Sequence, residues 1–275
     1  MFTTETMKIL TLNMFIRPPF ISTSYGDAKD KRLEMLKGLL KEYDVVCLQE
    51  MFGSFSTRRK KLIAYAQSIG FAHYATGPSS NIFKGKFVDS GLLILSKFKL
   101  LDHVILQYTN GIKSDNLSAK GAICIKVEVL GQVMAIFTTH LQASYTLNLT
   151  ESSDVVRIRQ LQLHELNAFI RKTTQLNDHI IVTGDFNINA RATLFEYERL
   201  FRHIAMKDAS LDVLKEHPIT FYPWQYRFKG VPSPKEQECL DYIFYQNLFI
   251  STVQVLKDPL LSDHFGLEMT CQLTE

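Results

Sequence analysis

Short apolar runs of strand length recur along the chain and alternate with segments that have helical periodicity. The predicted strands span residues 9–12, 45–48, 91–95, 122–129, 133–138, 180–183, 240–245 and 267–271. Helices are predicted over residues 30–41, 57–68 and 153–173, and Ser152 or Ser153 is the expected N-cap of the longest one. Neighbouring strands with flanking helices indicate an α/β sandwich.

The length and the apolar content are compatible with one domain. The chain has 275 residues, 46% of them hydrophobic, so it can bury a sizeable core. No internal repeat, low-complexity tract or change of composition marks a linker. A single domain over residues 1–275 is therefore expected.

Charge and cysteine content narrow the class of protein. A net charge of +3 from 31 basic and 28 acidic residues does not demand a nucleic-acid surface, and the dense basic run 58–61 is expected to be a solvated helix face. The four cysteines show no CxxC spacing, which favours buried free thiols and a reducing compartment.

The sequence shows neither a signal-peptide pattern nor an apolar run long enough to cross a bilayer. We therefore expect a soluble monomer, located in the cytoplasm or exported by a route that needs no signal peptide. Peripheral contact with a membrane is compatible with either location.

Polar side chains stand at the beginning or end of most predicted strands. They are Asn13, Glu50, His140, Asp185, Asn187, Asp241, Asp263 and His264. Each has an ordinary alternative explanation, such as a helix cap for Asn13, a solvated strand end for Glu50 or a core histidine for His140. Because apolar residues lead into almost every one, we expect the set to converge in one pocket at an edge of the sandwich.

Asp185 and Asn187 follow a buried run in the segment VTGDFNINA. In an extended segment residues two apart point to the same face, so both side-chain oxygens would aim at one point. A turn after the strand, eased by Gly184, is the simpler alternative. Together with Glu50 and Asn13, the pair offers oxygen ligands, which suit Mg²⁺ better than zinc.

His140 and His264 are suited to proton transfer near neutral pH. Asp241 lies inside an apolar strand, where an ionised carboxylate needs a partner, and we pair it with His264. Adjacent residues of a strand point to opposite faces, so Asp263 is assigned to the metal region instead.

The motifs LN, QE, THLQA, GDFN, LDYIF and SDH occur in this order and resemble those of the endonuclease/exonuclease/phosphatase superfamily. This resemblance implies a four-layer α/β/β/α sandwich, a single catalytic domain, and hydrolysis of phosphodiesters or phosphomonoesters with Mg²⁺, for which Mn²⁺ or Co²⁺ would substitute. It also implies metal and phosphate positions at Asn13, Glu50, Asp185 and Asn187. The implied catalytic residues are His140, Asp185, Asn187, Asp241, Asp263 and His264.

Four segments are similar to neutral sphingomyelinases, which are phospholipases of the C type. They are DSGLLILSK (89–97), SAKGAICIKV (118–127), THLQASY (139–145) and RQLQLHEL (159–166). This similarity implies cleavage of sphingomyelin into ceramide and phosphocholine at a membrane surface. Lys120 and Asp89 are candidate substrate-binding residues, and a surface lysine and a strand-start aspartate are the alternatives.

The chain departs from secreted bacterial sphingomyelinases in one segment. Only STVQVLKDPLL separates Ile250 from Ser262, so their aromatic membrane hairpin is missing. The aromatic segment FYPWQYRF (221–228) is a candidate for contact with a membrane interface, and core packing plus a loop is the alternative.

The expected reaction is in-line attack of water on phosphorus, with Mg²⁺ on Glu50, assisted by Asn13, neutralising charge at a phosphate oxygen. Asp185 and His264 would orient the water, and His140 and Asn187 would hold phosphate oxygens. Protonation of the departing alkoxide is a second predicted role of His140. A nuclease or another phosphatase on the same scaffold is the alternative enzyme, although no nucleic-acid partner is expected, and a binding protein without activity is a third hypothesis.

Overall fold

The computed structural model describes residues 4–19, 28–144, 149–223 and 237–274. Within these ranges two six-stranded sheets pack face to face, and helices cover the outer face of each. The predicted α/β/β/α sandwich is therefore confirmed. Residues 20–27, 145–148 and 224–236 lie outside the described residues, as does most of the segment FYPWQYRF.

The strands of the described chain divide evenly between the two sheets. In chain order they are β1 (Thr4–Ile16), β2 (Val45–Met51), β3 (His73–Thr76), β4 (Leu93–Ser96), β5 (Leu100–Gln107), β6 (Gly121–Val129), β7 (Gln132–His140), β8 (His179–Asp185), β9 (Lys207–Asp208), β10 (Asp241–Gln246), β11 (Phe249–Leu256) and β12 (Gly266–Thr274). The first sheet has the spatial order β11-β12-β1-β2-β4-β3, and the second has the order β5-β6-β7-β8-β10-β9.

Strand register brings the polar strand ends together. In the first sheet β1 and β2 run parallel with Asn13 opposite Gln49, so both strands end at one edge. In the second sheet β7 and β8 run parallel with His140 opposite Asp185, and the antiparallel β10 places Asp241 opposite Asp185. Each sheet therefore presents its polar strand ends side by side.

The helices of the described chain are α1 (Lys29–Leu39), α2 (Arg58–Ser68), α3 (Asp154–Thr173), α4 (Leu194–Ile204) and the short α5 (Ala209–Val213). The helices α1 to α4 cover the sheets from outside, whereas α5 packs beside the central cluster between them. Leu36 of α1 belongs to one apolar cluster with Val46 of the first sheet, and Leu166 of α3 belongs to another with Phe137 of the second. Apolar residues on both faces of the central strands are expected for sheets that are covered on both sides.

A third apolar cluster fills the space between the sheets. Successive residues of β1 show how it forms, because Ile9 belongs to this central cluster while Leu10 packs with the helical layer. Ile181 of β8 faces the same centre, and its neighbour Val182 faces α3 and α4. The period of two in each strand thus divides the apolar residues among the layers.

Helix α3 begins after Ser153, one of the two predicted N-caps. The Ser153 side chain does not cap the first turn, since its Oγ instead accepts a hydrogen bond from the backbone N–H of Thr150 at 2.9 Å. Arg171 and Lys172 in the last turn place positive charge at the negative end of the helix dipole, which stabilises the helix.

Several elements of the structure are missing from the sequence-based prediction, namely β3, β5, β9, β11, α4 and α5. β5 and β11 are edge strands, and residues 101–105 of β5 are exposed, so no continuous apolar run marks them. β9 has only two residues. Helix α4 does contain buried Tyr197, Leu200 and Ile204 at helical spacing, and this signal was available in the sequence.

No helix among the described residues is long and apolar enough to cross a membrane. All four cysteines are free and buried, which confirms their predicted state. Burial raises the pKa of the Cys47 thiol to about 12, so this thiol stays protonated near neutral pH.

Candidate active site

Asp185, at the end of β8, is the centre of a cluster of polar side chains. Its Oδ2 lies 2.9 Å from Nδ2 of Asn13, 3.4 Å from Nε2 of His140 and 3.7 Å from Nε2 of His264. Asp185 is 1% exposed, so these contacts form away from bulk water. The structure thus unites side chains that the sequence places far apart.

His264 and Asp241 form a buried pair. Nδ1 of His264 lies 2.8 Å from Oδ2 of Asp241, so the ring N–H donates to this carboxylate. The ring of Phe221 packs against His264 with a centroid distance of 4.9 Å. These contacts orient the imidazole so that Nε2 faces Asp185, as the predicted pairing requires.

Glu50 lies on the first sheet, facing this cluster. Its Oε1 accepts a hydrogen bond of 3.3 Å from Nδ2 of Asn13, whereas its Oε2 is buried without a hydrogen-bond partner among the described residues. The backbone of Glu50 is left-handed, with φ of 50°. Such a conformation is strained for a residue with a side chain, and strain of this kind concentrates at functional sites.

Asp263 lies beside this part of the cluster. Its charge contributes to the pKa of Glu50, and its Oδ1 accepts a hydrogen bond of 3.1 Å from Oγ of Ser262. Asp263 is therefore near Glu50 and does not orient His264, whose ring is held by Asp241.

Asn187 reaches the site by a different route from the one that the sequence suggests. β8 ends at Asp185, and Asn187 has a left-handed backbone with φ of 53°, so the segment is not extended through both residues. The N–H of Asn187 donates to Oδ1 of Asp185 at 2.9 Å, which closes the turn given as the simpler alternative. Nδ2 of Asn187 then donates to the carbonyl of Leu141 at 3.2 Å.

Gly184 permits the close approach of β7 and β8 at this point. Its φ is 143°, and a Cβ placed there would lie 2.1 Å from the carbonyl oxygen of Thr139. Any other residue would push β7 away and separate His140 from Asp185.

Lys120 is buried and joined to the same network. Its Nζ donates to the carbonyl of Leu141 at 2.5 Å and lies 3.2 Å from Oδ2 of Asp115. The carbonyl of Leu141 also accepts a hydrogen bond from Asn187, so this carbonyl links Lys120 to the cluster. The surface-lysine alternative is therefore wrong, while substrate binding stays a prediction.

Asp89 is occupied by donors of the protein itself. Its Oδ2 accepts from the backbone N–H groups of Gly53 and Ser54 at 3.0 and 2.7 Å, and its Oδ1 lies 2.8 Å from Nη1 of Arg59. These bonds fix the loop that follows β2. Asp115, not Asp89, is the carboxylate that contacts Lys120.

The two histidines differ in charge. Burial lowers the pKa of His140 well below its ordinary value, and the charges of Lys120 and His264 add to this effect. Burial also acts to lower the pKa of His264, but the carboxylates of Asp241 and Asp185 outweigh it and raise the pKa to about 10. At neutral pH the cluster therefore contains a neutral His140 and a charged His264.

The pKa values of the Asp185 and Glu50 carboxyl groups are raised above their ordinary values. Burial raises the pKa of Asp185 to about 6, although the charge of His264 and the hydrogen bond from Asn13 oppose this shift. Burial likewise raises the pKa of Glu50, and Arg17 is the cation that opposes it most strongly. Two carboxyl groups that are costly to ionise would be stabilised as anions by a nearby cation.

The residues fit a hard cation on chemical grounds. Ligand atoms of Asp185, Asp241 and His264 lie within 4.8 Å of one another, but the Nδ1 of His264 is engaged by Asp241. The buried Oε2 of Glu50 is an oxygen without a hydrogen-bond partner among the described residues. The other oxygen of this carboxylate contacts Asn13, which also contacts Asp185. Asn13 presents Nδ2 to both carboxylates and receives the N–H of Phe15 at Oδ1, so it would supply an oxygen ligand only after rotation of its amide.

Sequence reasoning misses residues that support the site from within. Nε2 of Gln49 donates to Oγ1 of Thr11 at 3.1 Å and to Oγ1 of Thr138 at 2.8 Å, which joins the two sheets below the cluster. Gln49 directly precedes Glu50 and is fully buried. A glutamine after the apolar run VVCL was the available signal.

A buried ion pair supports the segment that follows His140. Arg159 of α3 donates to both oxygens of Glu196 at 2.9 and 2.7 Å, and it also donates to Oγ of Ser144 and to the carbonyl of Gln142 at 2.8 and 3.2 Å. An arginine at a buried position of the α3 stripe was the available signal. Through Gln142 and Ser144, Arg159 connects the segment RQLQLHEL with the segment THLQASY.

The chain is similar to known proteins over most of its length. The model of the Endonuclease/Exonuclease/phosphatase family matches residues 10–264. A sphingomyelinase of Dictyostelium discoideum is 35% identical over 181 residues, and the match covers 57% of this chain but only 40% of that protein. A sphingomyelinase C of Bacillus cereus is 26% identical over 259 residues, covering 87% of this chain and 74% of that protein.

Solved structures show the same fold. A beta toxin variant of Staphylococcus aureus with bound magnesium ions has a TM-score of 0.74 at 19% identity, covering 96% of this chain and 99% of that one. A sphingomyelinase C of Streptomyces griseocarneus has a TM-score of 0.72 at 18% identity, covering 97% and 99% of the two chains. At this level of identity the likeness concerns the fold alone.

Proposed function

The chain belongs to the endonuclease/exonuclease/phosphatase family, and we propose on this basis that it is a Mg²⁺-dependent phosphodiesterase that hydrolyses sphingomyelin to ceramide and phosphocholine. The observation that supports this most is the buried cluster in which Asp185 contacts Asn13, His140 and His264. The choice of lipid is supported by the similarity to sphingomyelinases of Dictyostelium discoideum and Bacillus cereus.

Water activation is assigned to Asp185 with His264. The Asp185 carboxylate would orient the water and accept its proton. The charged His264 ring lies 3.7 Å from the same carboxylate, where it orients water and balances negative charge on the phosphate. Asp241 keeps the ring in this orientation through its 2.8 Å contact.

Phosphate binding is assigned to His140 and Asn187. A neutral His140 donates a hydrogen bond through one ring nitrogen, so its lowered pKa favours the phosphate-holding role over proton donation to the alkoxide. The Nδ1 of His140 is buried without a partner among the described residues and is available for a further hydrogen bond. Lys120 supports this side through the Leu141 carbonyl that it shares with Asn187.

Glu50 and Asp185 would hold Mg²⁺, with Asn13 after rotation of its amide. When bound, Mg²⁺ supplies Lewis-acid stabilisation of the charge on the phosphate. The oxygen-rich set and the unpartnered Oε2 of Glu50 support this assignment. Mn²⁺ or Co²⁺ would substitute because both accept oxygen ligands.

The test is release of phosphocholine from sphingomyelin and from phosphatidylcholine in mixed micelles, with Mg²⁺ and with chelator. Release from sphingomyelin that needs Mg²⁺ is the expected result. Cleavage of neither lipid would contradict the proposal, and cleavage of plasmid DNA in a parallel reaction would favour a nuclease instead.

Matched variants assign the chemistry to the cluster. Asp185→Ala and His264→Ala should each reduce turnover by about a thousandfold or more. Asp102→Ala and His103→Ala change the same residue types on the exposed edge strand β5 and should leave turnover unchanged. Near-normal activity of either cluster variant would contradict the assignment of roles.

A further inference from the structure

Large apolar side chains are exposed at the edge of the sandwich that contains the cluster. We call them the rim patch; its members and exposed fractions are Phe55 (66%), Ile82 (64%), Phe83 (96%), Phe87 (52%) and Leu117 (47%). Single exposed apolar residues are common, but a group of this size on neighbouring loops marks an interaction surface.

Backbone hydrogen bonds make the rim patch one surface. The N–H groups of Phe87 and Val88 donate to the carbonyl of Leu117 at 2.8 and 3.2 Å, which joins two loops. The Asp89 carboxylate, two residues from Phe87, binds the N–H of Ser54 and so fixes the loop that contains Phe55. Three segments distant in sequence are therefore held together.

Ile82 and Phe83 lie at the tip of this surface. Residues Ile82–Lys84 form a helical turn, and Asn81 and Lys86 exchange backbone hydrogen bonds of 2.8 and 2.9 Å at its base. A tight turn with an almost fully exposed phenylalanine at its tip protrudes from the surface instead of forming a flat face. This shape suits insertion into a soft interface better than docking onto a folded protein.

The rim patch flanks the cluster. In the first sheet, Leu93 of β4 is opposite Leu48 of β2 and Thr76 of β3, so the loop between β3 and β4 leaves the sheet beside the end of β2. The N–H of Met51, next to Glu50, donates to the carbonyl of Gly91 in this loop at 2.8 Å.

The loops of the rim patch are basic. Residues 53–57, 77–92 and 111–120 contain the exposed Lys84 and Lys113 and the buried Lys86 and Lys120. The adjoining first turn of α2 adds Arg58, Arg59, Lys60 and Lys61, of which Arg58 is paired with Asp30. The acidic residues of the loops are Asp89 and Asp115, and each is bound by a cation, Arg59 or Lys120. Lys84 is exposed directly beside Phe83. Aromatic and basic side chains in this arrangement complement the acyl boundary and the phosphate layer of a bilayer.

We propose that the rim patch docks the protein onto a phospholipid bilayer, with Phe83 entering the boundary below the headgroups and Lys84 facing the phosphates. This inference rests on the proposed function, because a lipid phosphodiester lies at the bilayer surface. Docking by the rim orients the cluster towards that surface, and it does so from a different segment than the hairpin that the chain lacks.

The test is cosedimentation of the full chain with sucrose-loaded vesicles of phosphatidylcholine, alone and with phosphatidylserine. Phe83→Ser should weaken partitioning into both kinds of vesicle by about tenfold, because the variant no longer buries a phenylalanine ring in the apolar part of the bilayer. Lys84→Glu should weaken binding to the phosphatidylserine vesicles more than to the neutral ones, and added salt should reduce this difference.

Leu176→Ser is the matched control. Leu176 is 85% exposed and lies just before β8 begins, at the opposite edge of the sandwich from Asp185. Both serine variants should melt at the wild-type temperature, since neither side chain is buried. Equal sedimentation of Phe83→Ser and wild type, or a wild type that does not sediment, would overturn the proposal, and the latter would favour a protein as the occupant.

Docking and chemistry can fail separately. Vesicle binding that needs Phe83, without release of phosphocholine from sphingomyelin, would support docking and contradict the proposed substrate. Release of phosphocholine by a Phe83→Ser variant that sediments like wild type would support the substrate and overturn the docking surface.

Discussion

Substitution of Arg159 should have two effects that can be measured separately, one on the stability of the fold and one on the order of the site. Arg159 is 0% exposed and Glu196 is 2% exposed, and their contacts of 2.9 and 2.7 Å satisfy both carboxylate oxygens. Arg159→Met keeps most of the side-chain volume but leaves the Glu196 carboxylate buried without its cation. It also removes the donors to Ser144 and Gln142, which follow His140.

Breaking one side of a buried pair typically costs about 3–5 kcal/mol, and Arg159→Met should lower the free energy of unfolding by this amount. The double variant Arg159→Met/Glu196→Leu replaces both partners, so it contains no unpaired buried charge and should recover most of the stability. The double variant should nevertheless have lower turnover, by about tenfold to a hundredfold, because the segment after His140 has lost its anchor.

Urea denaturation measures the stability change, and phosphocholine release measures turnover. Arg157→Met is the control on the same helix, because the Arg157 ion pair with Asp154 is exposed at 68% and 76% and should contribute less than about 1 kcal/mol. A loss below about 1 kcal/mol for Arg159→Met would refute the reasoning about burial. Full turnover in the double variant would refute the anchoring role.

Three further predictions follow from single contacts. Asp241→Asn should lower the pKa of His264 from about 10, and proton NMR of the metal-free protein would measure the change. An unchanged pKa would contradict the pairing. In the wild type, the charged His264 ring contributes its full stability below pH 6.5, and this contribution is lost as the pH rises through about 10. Lys120→Met should lower the free energy of unfolding by about 1.5–3 kcal/mol in urea denaturation, because the charged donor to the Leu141 carbonyl is lost, and unchanged stability would argue against this bond. Cys47, whose pKa burial raises to about 12, should resist alkylation by iodoacetamide near pH 8 until the protein unfolds, and rapid labelling of the native protein would contradict its burial.

The sequence predicts the layers and the ends of the central strands because buried strands have continuous apolar runs. Where such a run stops at Glu50, His140 or Asp185, the polar residue marks the edge of the sheet, and parallel neighbours align these edges. The pairing of Asp241 with His264 was also predictable, since a carboxylate inside an apolar strand requires a partner.

Other features depend on contacts between segments that no local pattern encodes. The donors that occupy Asp89 come from the loop after β2 and from α2, and nothing in DSGLLILSK identifies them. The left-handed backbones of Glu50 and Asn187 are equally invisible, because Glu50 lies in β2, Asn187 follows β8, and alternation predicts extended conformations at both. Edge strands such as β5 lack the apolar signal because one side faces solvent.

The pairing of β12 with β1 has a consequence for the order of events during synthesis. Asn13 is translated early and His264 late, and β12 lies between β11 and β1 in the finished sheet. A nascent chain that has passed Asp241 therefore already contains Asp185 and His140 but still lacks the imidazole opposite them. The cluster is therefore complete only once β12 has paired with β1, because His264, just before β12, then lies opposite Asp185.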